Sequence, residues 1–176
     1  MEQKEGQKIM EIQLLNEKHA EAYWQLRLEM LQQSPSSFGS SYEEAIARTN
    51  PIEVTADRLV QNGSYTFGCF DDGKLVGAVT LVREGALKMK HKASIFAMYV
   101  SPAHRGKGFA RGLLQAAITQ AKAEDGIEQV MITVVTTNET AKGLYHSCGF
   151  KPYGTEKRAL KYNDEYFDEE LMVLFL

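Results

Sequence analysis

Long apolar runs are missing from this 176-residue chain. A membrane-spanning helix needs roughly 20 consecutive apolar residues, and no segment approaches that, so no membrane partner is expected. Cysteine is scarce. Cys69 and Cys148 stand far apart, which suits a reducing compartment and offers no metal-ligand spacing, so no metal is expected. A surplus of positive charge is missing as well. Lysine and arginine total 20 against 23 aspartates and glutamates. Overall charge therefore gives no pull toward nucleic acid, and any anion site has to be local. The opening residues, "MEQKEGQKIM", contain no apolar leader stretch, and a cytoplasmic location is expected. Neither an internal repeat nor a long linker breaks the chain.

What is present reads as alternating elements. Residues 1–8 are polar and are expected to form a flexible N-terminal tail. Residues 9–176 are expected to form one domain. "MEIQLL" (Met10–Leu15) alternates like a strand. His19 to Gln33 carries helical periodicity and ends at Ser34-Pro35. "SPSSFGSSYEEA" is a loop entering a short helix near Tyr42–Arg48, and a second helical piece follows Pro51. "SYTFGCFDDGKLVGAVTLVR" predicts a hairpin around Asp72-Gly73. "ASIFAMYV" (Ala93–Val100) is almost wholly apolar and predicts a central strand covered on both faces. A helix, the strand "QVMITVV" (Gln129–Val135), another helix and a strand-forming tail follow. The order reduces to β-α-α-β-β-β-α-β-α-β-β, a mixed-sheet domain of the α/β or α+β class.

The stretch with most chemical content is "SPAHRGKGFARGLLQAA", Ser101 to Ala117. From Ala110 the apolar residues Leu113, Leu114, Ala117, Ile118 and Ala121 fall at helical spacing and predict a buried stripe. Asp125-Gly126 marks the far end. The near end has no Ser, Thr, Asp or Asn as cap; Arg105-Gly106-Lys107-Gly108 stands there instead. A helix start leaves about four N–H groups unpartnered and carries partial positive charge. Glycines let such groups approach a ligand, and an anion would complete the cap. Arg105, Lys107 and Arg111 would add charge. A glycine-rich surface turn with solvated cations fits the spacing as well. The dinucleotide fingerprint does not, because Gly112 arrives one place late. The phosphate loop G-x-x-x-x-G-K-[ST] is absent.

Further along, Asn138 suits a helix N-cap and Gly149 a helix stop. Between them Ala141, Leu144, Tyr145 and Cys148 share a face. Phe150 is placed to fold back in a Schellman ending. By itself this makes Tyr145 a core aromatic and Cys148 a packing residue.

Taken together, "MYVSPAHRGKGFARGLLQAAITQA" and "VVTTNETAKGLYHSCGFKPYG" resemble two consecutive motifs of the GCN5-related N-acetyltransferase (GNAT) superfamily. Arg105 to Ala110 fits the pattern R-x-x-G-x-A, and Leu144-Tyr145 with Gly149-Phe150 fits L-Y-x-x-x-G-F. The motifs cover the second half of the chain; the first half matches in element order. The resemblance implies a GNAT-like fold, a central, mostly antiparallel mixed sheet flanked by helices. It implies acetyl-CoA as co-substrate, contacted by Met98, Tyr99 and Val100, by Arg105, Gly106, Lys107, Gly108, Phe109, Ala110 and Arg111, and by Asn138, Lys142 and Tyr145. Tyr145 matches a residue often proposed to protonate the departing thiolate. The strand holding Met98-Tyr99-Val100 is implied to carry a bulge and supply an oxyanion donor.

The acceptor side is less defined. "SPSSFGSSYEEA" resembles the substrate-side loop of many members, which places Phe38 and Tyr42 near the acceptor, with Glu29 in the same substrate-side region. A small-molecule amine or a peptide amine is the expected partner, with a homodimer left open. A free alkylamine has a pKa of roughly 10, so a base is needed. Many relatives place a glutamate near the start of the matching strand, where this chain has Ser94. Glu29, Glu43 and Glu44 are alternatives, and His91 a weaker one in the basic loop "KMKHK", which also stands as a candidate contact for the cofactor's phosphates. "NDEYFDEEL" (Asn163–Leu171) reads either as an acidic rim for a cationic amine or as a charged edge strand. The other functional reading is a non-catalytic CoA-binding sensor or interaction module on the same fold.

Overall fold

The computed structural model describes residues 10–176; the expected tail over residues 1–8 lies outside them. The described residues form five α-helices and seven strands, joined in places by short 3-10 turns. They are β1 (Glu11–Leu14), α1 (Ala20–Gln33), α2 (Tyr42–Ile46), α3 (Pro51–Leu59), β2 (Ser64–Asp71), β3 (Lys74–Arg83), β4 (Lys92–Val100), α4 (Phe109–Ala123), β5 (Gln129–Val135), α5 (Glu139–Ser147), β6 (Lys151–Tyr162) and β7 (Glu165–Phe175). All three helical pieces read in the first half form, although the condensed order written from the sequence shows only two of them. Ser41 gives α2 its own start, because its hydroxyl accepts from the Glu44 N–H while the Glu44 carboxylate accepts from the Ser41 N–H.

The strands form one sheet in the order β1-β2-β3-β4-β5-β7-β6. Every pairing is antiparallel except β4 with β5. The β2–β3 turn at Asp72-Gly73 has positive φ at both residues, 50° and 75°, as a two-residue hairpin of right-handed twist requires. Asn163-Asp164 repeats the device between β6 and β7. Helices α1 and α3 cover one face through Ala20, Leu26, Met30 and Leu59. Helix α4 covers the other, with Leu113, Leu114, Ala117 and Ala121 fully buried. Burying each of those leucines is worth about 1.5–3 kcal/mol, so the α4 stripe fixes where the helix tip points.

Two features correct the sequence reading. Strand β4 is central but not covered on both faces: Phe96 is 55% exposed. Its parallel pairing with β5 lasts only from Lys92–Gln129 to Ser94–Met131. Beyond Ser94 the strands part, each held by its other neighbour. Strand β7 is not an edge strand. It lies between β5 and β6, so its acids flank the interior of the sheet, and β6 is the edge.

Gly77 shows how tightly the β4 end is held. A Cβ there would lie 2.8 Å from the Tyr99 carbonyl oxygen and 2.8 Å from Cys69 Sγ. Backbone cannot yield as a side-chain tip does, so Gly77→Ala is expected to cost about 1–3 kcal/mol by overpacking. At Gly143, inside α5, a Cβ meets nothing within 4 Å. Gly143→Ala should stabilise by up to about 1 kcal/mol. Urea midpoints for the two variants check the pair; equal midpoints would contradict it.

Candidate active site

Where β4 and β5 part, the sheet opens into a cleft. The cause is visible in β4 itself. Its register with β3 runs Thr80–Phe96 and then Ala78–Tyr99, so two residues of β4 oppose one of β3, and Ala97 takes φ 52°. This is the bulge that the family resemblance implied. It bends the strand away from β5 and leaves main-chain N–H and C=O groups facing the gap.

The cleft holds about 530 Å³. One wall is Met98, Tyr99 and Val100; the other is Thr140, Ala141, Leu144 and Tyr145 on α5; the floor is the Arg105–Arg111 loop. Gly106 and Gly108 have φ of 75° and 86°, and a Cβ on either would meet no protein atom within 4 Å. No side chain caps α4 at Gly108. Open space, left-handed glycines and an unpartnered helix tip are what a phosphate-bearing ligand needs, and the apolar walls above suit its less polar part.

Most of the expected cofactor contacts converge here. Met98, Tyr99, Val100, Arg105, Gly106, Gly108, Phe109, Ala110, Arg111, Asn138 and Tyr145 all line the cleft. Lys107 and Lys142 do not. Lys107 is exposed, and the Lys142 ammonium donates to the Thr136 carbonyl at 3.3 Å and lies 3.4 Å from Glu139 Oε1. Arg105 turns back toward β4: its Nε donates to the Val100 carbonyl at 2.9 Å, and its guanidinium sits 5.6 Å from the Tyr99 ring centre. Arg111 donates to Ser147 Oγ at 2.7 Å, with Cys148 Sγ 3.7 Å away. These two arginines therefore brace the cleft while lining it. In the loop "KMKHK" Lys88, Met89 and Lys90 are exposed and His91 and Lys92 half-buried, and it sits where β4 begins. It is a strand's length from the α4 tip, about 25 Å, and so cannot share a ligand's phosphates with it.

Helix α5 begins and ends as its sequence dictates. Asn138 Oδ1 accepts from the Ala141 N–H at 3.1 Å. At the other end the Phe150 N–H reaches the Tyr145 carbonyl and the Gly149 N–H the His146 carbonyl, a Schellman ending with Gly149 at φ 97°. This sets Tyr145 against Phe150, ring centres 6.2 Å apart. Burial alone pushes the Tyr145 phenol up to about 12. Tyr99 is also pushed up to about 12, by burial and then by donating to Glu29 at 3.0 Å.

A smaller cavity of about 150 Å³ adjoins the cleft and shares Ser37, Phe38, Met98, Asn138 and Tyr145 with it. A groove of about 490 Å³ continues past Phe38 and Gly39 toward Tyr42, Glu43 and the β6 segment Ala159–Tyr162. Phe38 thus stands between groove and cleft. Tyr42 lines the groove and, with Glu29, a separate cavity of about 560 Å³, but neither cavity that contains Tyr145. Glu29 lines neither cavity that contains Tyr145. Two residues escaped the sequence reading. His104 lines the cleft, its Nε2 3.3 Å from Asp71 Oδ2. Glu169 lines the smaller cavity.

The fold is that of an acetyltransferase. A GNAT-family acetyltransferase from Streptococcus pneumoniae superposes with a TM-score of 0.83 at 21% identity, over 96% of this chain and 100% of that one. An acetyltransferase from Salmonella typhimurium, solved with its cofactor acetyl-CoA, gives 0.80 at 20% identity, over 96% of this chain and 94% of that one. The acetyltransferase (GNAT) family profile matches residues 22–150, and the chain belongs to that family. It is 29% identical over 135 residues to the spermidine N(1)-acetyltransferase of Vibrio cholerae, taking in 76% of each chain. Over 115 residues it is 30% identical to human N-acetyltransferase 8B, and there it spans 64% of its own length and half of the relative's.

Proposed function

We propose that residues 9–176 form one catalytic domain that transfers acetyl from acetyl-CoA directly to a primary amine, most simply that of a small cationic molecule. The observation that carries this is the uncapped, glycine-opened α4 tip at the mouth of a cleft whose far wall presents Tyr145. The diphosphate sits on the N–H groups following Gly108. The pantetheine arm runs between β4 and β5, where strand pairing has stopped. An N–H of the Ala97–Tyr99 bulge faces the oxygen that gains charge at the acetyl carbon. Tyr145 gives its proton to the sulfur as the carbon–sulfur bond breaks. The amine arrives through the groove beside Phe38 and Tyr42, on the side of the first helices and the last hairpin. The Vibrio relative, which acts on spermidine by its name, supports a polyamine as the first acceptor to try. Cys148 is braced by Arg111 and Gln115, so no acyl-cysteine is invoked.

Thermal shift and thiol release test this reading. Acetyl-CoA at 100 times its dissociation constant should stabilise the fold by about 2.7 kcal/mol. NAD or ATP giving the larger shift would overturn the cofactor. Free CoA thiol should appear with at least one amine of a panel containing polyamines, amino sugars and peptide N-termini. Tight acetyl-CoA binding with no thiol released on any amine would favour the sensor reading.

A further inference from the structure

The reaction needs a group that removes a proton from the incoming ammonium, and the carboxylates suggested by sequence are engaged or placed elsewhere. Glu29 accepts from the Tyr99 hydroxyl. Glu44 closes the α2 capping box. Glu43 faces the outer groove and reaches neither cavity containing Tyr145. Ser94 donates to Glu84 at the paired end of β4, before the cleft opens.

One carboxylate remains. Among the residues lining the cleft and the adjoining small cavity, Glu169 alone is acidic. It is placed there by the interior position of β7. Glu169 pairs with Val135 on β5 and with Glu156 on β6. The Thr136 N–H donates to the Asp168 carbonyl at 2.9 Å, which locks the register one residue before it. Val135 is the last residue of β5, three positions before Asn138 caps α5. The same strand end thus places Glu169 and the helix carrying Tyr145 around one cavity. That cavity has room for about five waters, enough for an amine head group beside an acetyl.

The geometry points to Glu169 as the general base of the transfer, taking the proton from the acceptor ammonium inside the small cavity. The inference rests on the amine-acetyltransferase reading above. Glu169 accepts one proton from the ammonium, and the freed nitrogen lone pair forms the new bond to the acetyl carbon. As the carbon–sulfur bond breaks, the sulfur takes its electron pair and the Tyr145 proton. The nitrogen's surplus proton restores the Tyr145 phenol, and Glu169 releases its own to solvent. The sum is amide, free thiol and one proton, so nothing else is required. Burial, and then the negative charge of Glu156, hold the Glu169 carboxyl above the usual carboxylate range. That is the direction that makes a carboxylate a better proton acceptor.

The test compares two acceptors on Glu169→Gln. An alkylamine, mostly protonated at pH 7, should lose about tenfold or more in kcat/KM. A weakly basic O-alkylhydroxylamine of similar shape, already neutral at pH 7, should lose less than about threefold, because it brings no ammonium proton to surrender. Acetyl-CoA affinity by calorimetry should stay unchanged, and Glu169→Asp should recover part of the alkylamine rate. An unchanged alkylamine rate, or equal losses on both acceptors, would overturn the role of Glu169 while leaving the enzyme reading intact. A wild-type protein that acetylates neither acceptor nor any other amine would defeat both.

Discussion

Gly108→Val is expected to weaken acetyl-CoA about 100-fold, or about 2.7 kcal/mol, with a much smaller loss of fold stability. The inequality follows from where the glycine stands. Gly108 has φ 86°, a region that β-branched residues avoid. The strain of placing valine there costs about 1–3 kcal/mol, which the loop can relieve by rotating. Rotation turns the first N–H groups of α4 away from the cleft. If the loop resists, the new side chain fills the open space beside the tip. Either way the anion loses its donors. Lys122→Ala, at the exposed far end of α4, removes a positive charge without touching the tip and should leave affinity within about twofold. Calorimetry on both variants decides; equal affinities would show that the diphosphate lies elsewhere.

Tyr145→Phe should lower kcat about 100-fold while changing acetyl-CoA affinity less than about threefold. Phenylalanine keeps the contact with Phe150 and the apolar wall, so only the proton donor goes. A phenol pushed up to about 12 looks too weak an acid for a thiolate whose ordinary conjugate acid lies near 8.5. Burial acts on both partners, however. Cys69, buried under the same sheet, is also pushed up to about 12 by desolvation. The apolar wall that raises the Tyr145 phenol would raise a thiol leaving beside it in the same direction, which narrows the gap between the two acidities. The raised value also keeps Tyr145 protonated at every working pH, so it enters the reaction as a donor. Single-turnover rates with a saturating amine measure the effect, and near-wild-type turnover would remove Tyr145 from the chemistry.

How much of this was legible in the sequence follows from how local each feature is. The α4 stripe, the Schellman ending of α5 and the Asp72-Gly73 turn each depend on residues within one or two turns of chain, and each formed as read. The opening of the sheet did not show. It depends on where Ser94 stops pairing with Met131 and on a bulge at Ala97, and the residue types there suit any buried strand. The position of β7 was misread for the same reason. A charged run beside a hairpin resembles an edge, and nothing near Asn163–Leu171 says that residues 129–135 will pair with it. Glu169 was therefore missed: its role depends on a contact with Val135, 34 positions earlier in the chain. Lys142 was named as a cofactor contact through the family resemblance, but its own helix entry supplies nearer acceptors at Thr136 and Glu139.

The outer strand, β6, has a consequence for self-association. Its pairing with β7 is interrupted twice, at Pro152–Gly154 and at Glu156–Leu160, with Arg158 forced to φ 54°. Lys151, Lys157 and Lys161 line its length, and at the opposite rim β1 is only four residues long. Neither rim offers the straight, uncharged template on which another copy can zip. Rim-to-rim zipping of two molecules into one longer sheet is therefore disfavoured at both ends.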